Sequence, residues 1–233
     1  MDAEENFSRH LFLFDIDGTL LTSAHAGKYA LRDSMQSQFG VREDFTGISL
    51  AGATDGTIAK ALLAKNGIPV TQENTTRLLE GYLRHLGKRI RYHPGSLMPG
   101  VLELLQHLHS RPDCILGLLT GNLVRGAEIK LAFYDAWHFF EFGAFADDHD
   151  DRNELGNVAR VRARKIHGFE FPSKHIYVVG DTPNDISCGK AINAYTVAIA
   201  TGEYSVEELS QCQPDFLFKS LLDTKKVLRS LLG

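Results

Sequence analysis

Apolar and polar positions follow two rhythms along this chain. Residues 11–14 form a short unbroken apolar run that stops at Asp15, the pattern of a strand buried on both faces of a parallel sheet. Behind it, residues 22–92 carry helical spacing only, in pieces near 24–39, 54–66 and 72–90. Gly40, Gly47, Gly52 and the Gly67-Ile68-Pro69 turn interrupt them. A strand–helix alternation then returns. Val101, Leu104, Leu105 and Leu108 share a helical face, and Cys114–Leu119 is a buried-strand run. Helices near 123–134 and 155–167 flank a strand near 141–145. The strand 176–179, a helix from Pro183, the strand 196–199 and a last helix near 219–232 complete the pattern.

Two helix starts are written out chemically. Thr182-Pro183-Asn184-Asp185 offers a capping threonine, proline at the first helical position and an acid three residues after the cap. Ser205 and Glu208 have the same spacing. Strand then helix, repeated, predicts an α/β fold: a Rossmann-like, mostly parallel sheet covered on both faces. The all-helical stretch breaks that rhythm directly after the first strand. It predicts an α-helical cap domain, residues 22–92, inserted into a core of residues 1–21 and 93–233. Ligands of such sheets bind at the carboxyl ends of the strands.

Composition narrows the classes of function. Of 233 residues, 43% are hydrophobic and 23% charged, as in an ordinary globular chain. The net charge of −4 gives no electrostatic basis for a nucleic-acid partner. No run is long enough to span a membrane, and the acidic, polar start MDAEENFSRH is unlike an export leader. Cys114, Cys188 and Cys212 match neither a zinc site nor a disulfide framework, which points to the cytoplasm. Arg160, Arg162, Arg164 and Lys165 read as one solvated helix face, the acids between 147 and 151 as a solvated loop, and Trp137 with Phe133, Phe139 and Phe140 as core. Nothing here fixes the oligomeric state.

The chemistry gathers at strand ends. The first strand ends in Asp15-Ile16-Asp17-Gly18-Thr19-Leu20. Two carboxylates two residues apart converge where the backbone bends, and Gly18 permits the bend. Acids held together repel, and a hard divalent cation with oxygen ligands relieves the repulsion. The next core strand ends in Leu119-Thr120-Gly121-Asn122, a hydroxyl and an unhindered N–H suited to phosphate oxygens, although Asn122 also reads as a plain helix cap. The strand 176–179 runs into Gly180-Asp181-Thr182-Pro183-Asn184-Asp185 and supplies further acids.

These motifs resemble those of the haloacid dehalogenase superfamily, phosphatase branch. Asp15 to Leu20 match its first motif, Thr120 its second, and Gly180, Asp181 and Asp185 its fourth. Gly52-Ala53-Thr54-Asp55 is similar to a cap motif of its phosphoglycolate-phosphatase-like members. The resemblance implies a Mg²⁺-dependent phosphatase acting on a small phosphorylated metabolite. It implies Asp15 as nucleophile and Asp17 as acid and base. Mg²⁺ would be held by Asp15, the backbone carbonyl of Asp17 and Asp181, with Asp185 beside them. Phosphate and substrate would meet Gly18, Thr19, Thr120, Gly121, Asn122 and Thr54. The third motif needs a cation. No Lys-Pro pair is present, Arg152 stands at the right place, and Arg160 and Lys165 are its rivals inside the following helix. Two alternatives remain: a sugar phosphomutase, disfavoured because Gly27 stands where mutases carry a cap histidine, and a non-catalytic binding module on the same fold.

Overall fold

A computed structural model describes residues 9–233. The acidic start that reads as unlike an export leader falls largely on residues 1–8, which lie outside the described residues. The sheet has six parallel strands: β1 (His10–Phe14), β4 (Cys114–Leu119), β5 (Phe142–Ala144), β6 (Ile176–Gly180), β7 (Tyr195–Ile199) and β8 (Phe216–Phe218), in the order β5-β4-β1-β6-β7-β8. Strand β1 therefore lies centrally, with β4 on one side and β6 on the other. Strands β2 (Leu21–Thr22) and β3 (Ser96–Leu97) form a separate antiparallel ribbon where the chain leaves the core and returns.

Alternation along β1 divides the core in two. Phe12 and Phe14 pack on one face, against helix α4 (Val101–His109), helix α5 (Val124–Phe133) and the last helix, α9 (Thr224–Leu232). Leu11 and Leu13 pack on the other, against α6 (Arg152–His167) and α7 (Pro183–Ala191). Both faces are covered, so β1 is apolar from Leu11 to Phe14 and β4 throughout. Helices α1 (Ala26–Phe39), α2 (Asp55–Lys65) and α3 (Gln72–Arg89) bury a third apolar cluster of their own, built on Leu31, Met35, Leu62, Leu63, Leu78, Tyr82 and Leu86. Leu123, Ile129 and Tyr134 from around α5 pack against that cluster and seat the helical insertion on the sheet domain.

Several expectations need correction. The last helix begins at Thr224, not near 219, because Asp223 caps it and residues 219–223, which follow strand β8, are irregular. A three-residue edge strand carries too little alternation to be read from sequence. Helix α6 begins at Arg152 because the Asp151 side chain accepts the Asn153 N–H at 2.9 Å. Phe133 is 47% exposed and Trp137 only partly buried, so just the Phe139 end of that aromatic group is core. Both capping boxes form as the spacing predicts, Thr182 opening α7 and Ser205 opening α8 (Val206–Gln211). The basic run on α6 is not uniformly solvated: Arg162 makes a two-pronged ion pair with Asp148, 2.6 Å on each arm, and donates to the Gly143 carbonyl. The neighbouring acids are also engaged, Asp147 with the Val124 N–H and Asp150 with Lys60.

Candidate active site

The site is assembled where β1, β4 and β6 end. The sheet ladder continues one residue past β1, with Asp15 N–H donating to the Val179 carbonyl at 2.9 Å. That bond holds Asp15 at the mouth of the central strand, 5% exposed. The Arg152 guanidinium, also buried, reaches it from the start of α6: Nη2 lies 2.9 Å from Asp15 Oδ1 and 2.5 Å from Asp185 Oδ1. Arg152 thus takes the cationic position beside Asp15. Its rivals are turned elsewhere, Arg160 pairing with Glu170 while Lys165 lies farther along the helix.

Asp15, Asp181 and Asp185 offer carboxylate oxygens within 4.8 Å of one another. Glycines make room for this crowding. A Cβ on Gly18, whose φ is +83°, would meet Asp181 Oδ2 at 2.3 Å, and one on Gly202 would meet the same oxygen at 1.7 Å. Thr19 donates to Asp181 Oδ1 at 2.8 Å, so its hydroxyl positions the acid instead of facing the cavity. Burial, with repulsion from neighbouring carboxylates, pushes the Asp15 and Asp181 carboxyls above the ordinary range, although Arg152 pulls both down. Asp15 and Asp185 hold the Arg152 guanidinium firmly protonated despite its burial.

Asp17 is not part of that acidic cluster through its side chain. Its Oδ2 accepts from Asn122 Nδ2 at 2.9 Å and from Lys130 Nζ at 2.5 Å. Lys130 Nζ also donates to Asn122 Oδ1 at 2.6 Å, and Asn122 Nδ2 to Thr120 Oγ1 at 2.9 Å. Asn122 is therefore a member of a side-chain network, not a helix cap; α5 is capped at Leu123, without a side-chain bond. Lys130 is 4% exposed and escaped the sequence analysis. A signal was available, since Lys130 shares its helical face with the buried Gly126, Ala127 and Leu131, where a charge needs a partner. Gly202 and Thr201, whose hydroxyl donates to the Gly18 carbonyl at 2.6 Å, escaped as well.

The helical insertion closes over these residues. Asp55 N–H donates to the Gly121 carbonyl at 2.7 Å, and its Oδ2 accepts the Leu123 N–H at 2.8 Å. The Gly52 carbonyl accepts from Asn184 Nδ2 at 2.9 Å. A Cβ on Gly121 would stand 2.2 Å from the Ala53 carbonyl, so glycine there lets the two backbones touch. Residues 52–55 thus fasten the insertion to the core. Thr54 caps α2, donates to the Asp150 carbonyl at 3.0 Å, and does not line the cavity. A cavity of about 680 Å³ remains between the layers. Asp15, Asp17, Gly121, Asn122, Lys130 and Arg152 line its floor; Leu31, Phe45, Ile48, Leu50 and Ile58 line its roof.

Residues 10–193 match the haloacid dehalogenase-like hydrolase family. The chain belongs to it. Its relatives include the phosphoglycolate phosphatase of Aliivibrio fischeri, 27% identical over 229 residues, a match spanning 94% of this chain and 97% of that enzyme. A hydrolase from Pseudomonas syringae shares the fold at TM-score 0.71 and 23% identity, over 97% of this chain and 100% of that one. CbbY from Rhodobacter sphaeroides, in complex with phosphate, does so at TM-score 0.74 and 15% identity, over 92% and 96% of the two chains.

For a haloacid dehalogenase-like hydrolase the acidic cluster fits a divalent cation. Three buried carboxylates face one another with a single arginine between them, and burial disfavours the charged form of two of them. Oxygen donors around a small polar space are the ligand set of Mg²⁺. Asp185 already bonds Arg152, the Thr182 N–H and the Thr182 hydroxyl, which leaves Asp15 and Asp181 freer to bind.

Proposed function

We propose that this hydrolase is a Mg²⁺-dependent phosphatase that cleaves a small phosphomonoester through an aspartyl-phosphate on Asp15. The observation that carries the reading is the buried contact between Arg152 and Asp15 beside two further acids. A nucleophilic carboxylate needs a cation to bring a phosphate dianion against it, and both charges here are desolvated. The phosphoglycolate phosphatases among its relatives support the same chemistry and make phosphoglycolate the first substrate to try. A cavity of about 680 Å³ leaves room for larger esters as well.

Asp15 attacks phosphorus, the ester bond breaks, and Asp17 gives its proton to the leaving oxygen. Asp17 then takes a proton from water as that water attacks the aspartyl-phosphate and frees Asp15. Arg152 bears the phosphoryl charge, and its Nε is buried with no hydrogen-bond partner among the described residues. Thr120 is fully buried, accepts from Asn122 Nδ2 and does not line the cavity, so the phosphoryl oxygens would meet Gly121 and Asn122, which do. Asp15, Asp181 and the Asp17 carbonyl would hold Mg²⁺, which when bound offsets the negative charge of the phosphoryl group.

The helical insertion, residues 22–92, acts as the cap that excludes water and selects the substrate. Gly27 lines the cavity where a mutase carries its cap histidine, while His25, two residues earlier, also lines it, so detecting transfer rather than release of phosphate is what separates the two reactions. Three free thiols agree with work in the cytoplasm, and no helix among the described residues is long and apolar enough to cross a membrane. The reading is tested by Asp15→Asn, which keeps the side-chain volume and removes the nucleophile. Its thermal unfolding should stay close to the parent's while phosphate release vanishes. Substantial release from that variant would refute the assignment.

A further inference from the structure

The ammonium of Lys130 lies in the cavity floor on a residue the proposed reaction depends on, yet that reaction leaves it without a task. Lys130 is 4% exposed, and the charge is brought into the core by α5. Burying a lysine is unfavourable unless it is paired and hydrogen-bonded. Its partners are Asp17 Oδ2 at 2.5 Å and Asn122 Oδ1 at 2.6 Å. It also faces the insertion: its attraction favours the charged form of Asp55, and a Cβ on Gly27 would stand 3.8 Å from its nitrogen and 3.7 Å from the Tyr82 hydroxyl.

The two oxygens of Asp17 are not equivalent. Oδ2 accepts two hydrogen bonds, from Lys130 and from Asn122, while Oδ1 has no hydrogen-bond partner among the described residues. We propose that Lys130 is a positioning residue: with Asn122 it pins Oδ2 and so leaves Oδ1 as the oxygen that carries the proton to the leaving group. The inference rests on the phosphatase reading above. In the first half-reaction the phosphorus–ester bond breaks, the new bond forms to Asp15, and the proton passes from Asp17 Oδ1 to the departing oxygen. In the second, Oδ1 takes the proton of the attacking water. Lys130 keeps its own protons throughout. The cation fixes the carboxylate plane, which otherwise turns freely about a soft terminal torsion.

The leaving group gives the test. An alkoxide needs a proton as it departs, whereas p-nitrophenolate leaves without one. The kcat/KM for each ester reports only the steps through cleavage of that ester. Phosphoglycolate and glycerol 3-phosphate serve as alkyl probes, with p-nitrophenyl phosphate as comparison, on the Mg²⁺-loaded full chain. Lys130→Met should lower kcat/KM for the alkyl esters by about 100-fold, the lower range of general-acid contributions. It should leave p-nitrophenyl phosphate within about 5-fold of the parent, since no general acid is needed there. Lys130→Arg, which keeps a cation, should recover most of the alkyl-ester rate. Asn122→Ala removes the other bond to Oδ2 and should show the same selectivity more weakly, which keeps the test open should Lys130→Met fail to fold. Equal losses for both ester types would overturn the proposal and make Lys130 a packing residue. No loss for either would overturn it too. A parent protein that hydrolyses p-nitrophenyl phosphate but neither alkyl ester would overturn proton delivery through Oδ1 while leaving the phosphatase reading standing; one that hydrolyses none of the three would sink the phosphatase reading itself.

Discussion

At Arg152 one guanidinium answers two buried carboxylates, Asp15 and Asp185. Removing it leaves both acids without their cation, so Arg152→Ala should do two things. Turnover should fall by about 100-fold or more through loss of charge stabilisation. Chemical denaturation without metal should show a stability loss on the order of 3 kcal/mol, the scale for breaking a buried ion pair. An unchanged rate would return the third motif to Arg160 or Lys165. The resemblance put Arg152 ahead of Arg160 and Lys165, and in the fold its guanidinium lies against Asp15. Position alone did not reveal Lys130, whose partners Asp17 and Asn122 stand 113 and 8 residues away and meet it only in the folded sheet. Nor could the sequence tell that Thr19 and Thr54 direct their hydroxyls to Asp181 and the Asp150 carbonyl, since a threonine's partner is chosen by its rotamer.

Among the elements, the short segment 52–55 matters most, because it joins the insertion to the core. Gly121→Ala would drive a methyl into the Ala53 carbonyl, 2.2 Å from the new Cβ. Backbone contacts yield poorly, so a loss of about 1–3 kcal/mol is expected. The Asp55 and Leu123 amides should then exchange hydrogen faster than in the parent. Asp55 supplies a second test at this level. Burial raises its carboxyl from an ordinary 3.8 to about 6, outweighing Lys130 and the Leu123 N–H. The folded chain therefore binds the proton more tightly than the unfolded chain. Asp55 weakens the fold progressively as pH rises from about 4 to about 6, and the full effect remains above that. Asp55→Asn should flatten this part of the stability–pH curve, measured as urea midpoints from pH 4 to 7; an unchanged curve would refute the buried-acid account. The helix caps at Thr182 and Ser205 were legible because four adjacent residues specify them. Strand β8 was not, because its existence depends on the neighbour β7 it pairs with.

The molecule as a whole follows from one break in rhythm: a strand ending in two acids, then only helices, then strands and helices in alternation. That pattern carried the α/β class, since unbroken apolar runs fit only strands covered on both faces. The strand order had to come from the structure, because which strand lies beside β1 is decided by crossover geometry and not by local pattern. It matters for function: with β4 and β6 flanking β1, the residues after all three strands meet at one crevice. On the reading proposed above, this crevice hydrolyses phosphomonoesters with Asp15 as nucleophile. The most direct measurement is phosphate release from a panel of small phosphomonoesters headed by phosphoglycolate, by the parent and by Asp15→Asn, with Mg²⁺ and with EDTA. The account predicts release by the parent with Mg²⁺, little with EDTA, and none from the variant under either condition. Release that ignores EDTA, or that survives Asp15→Asn, would contradict it.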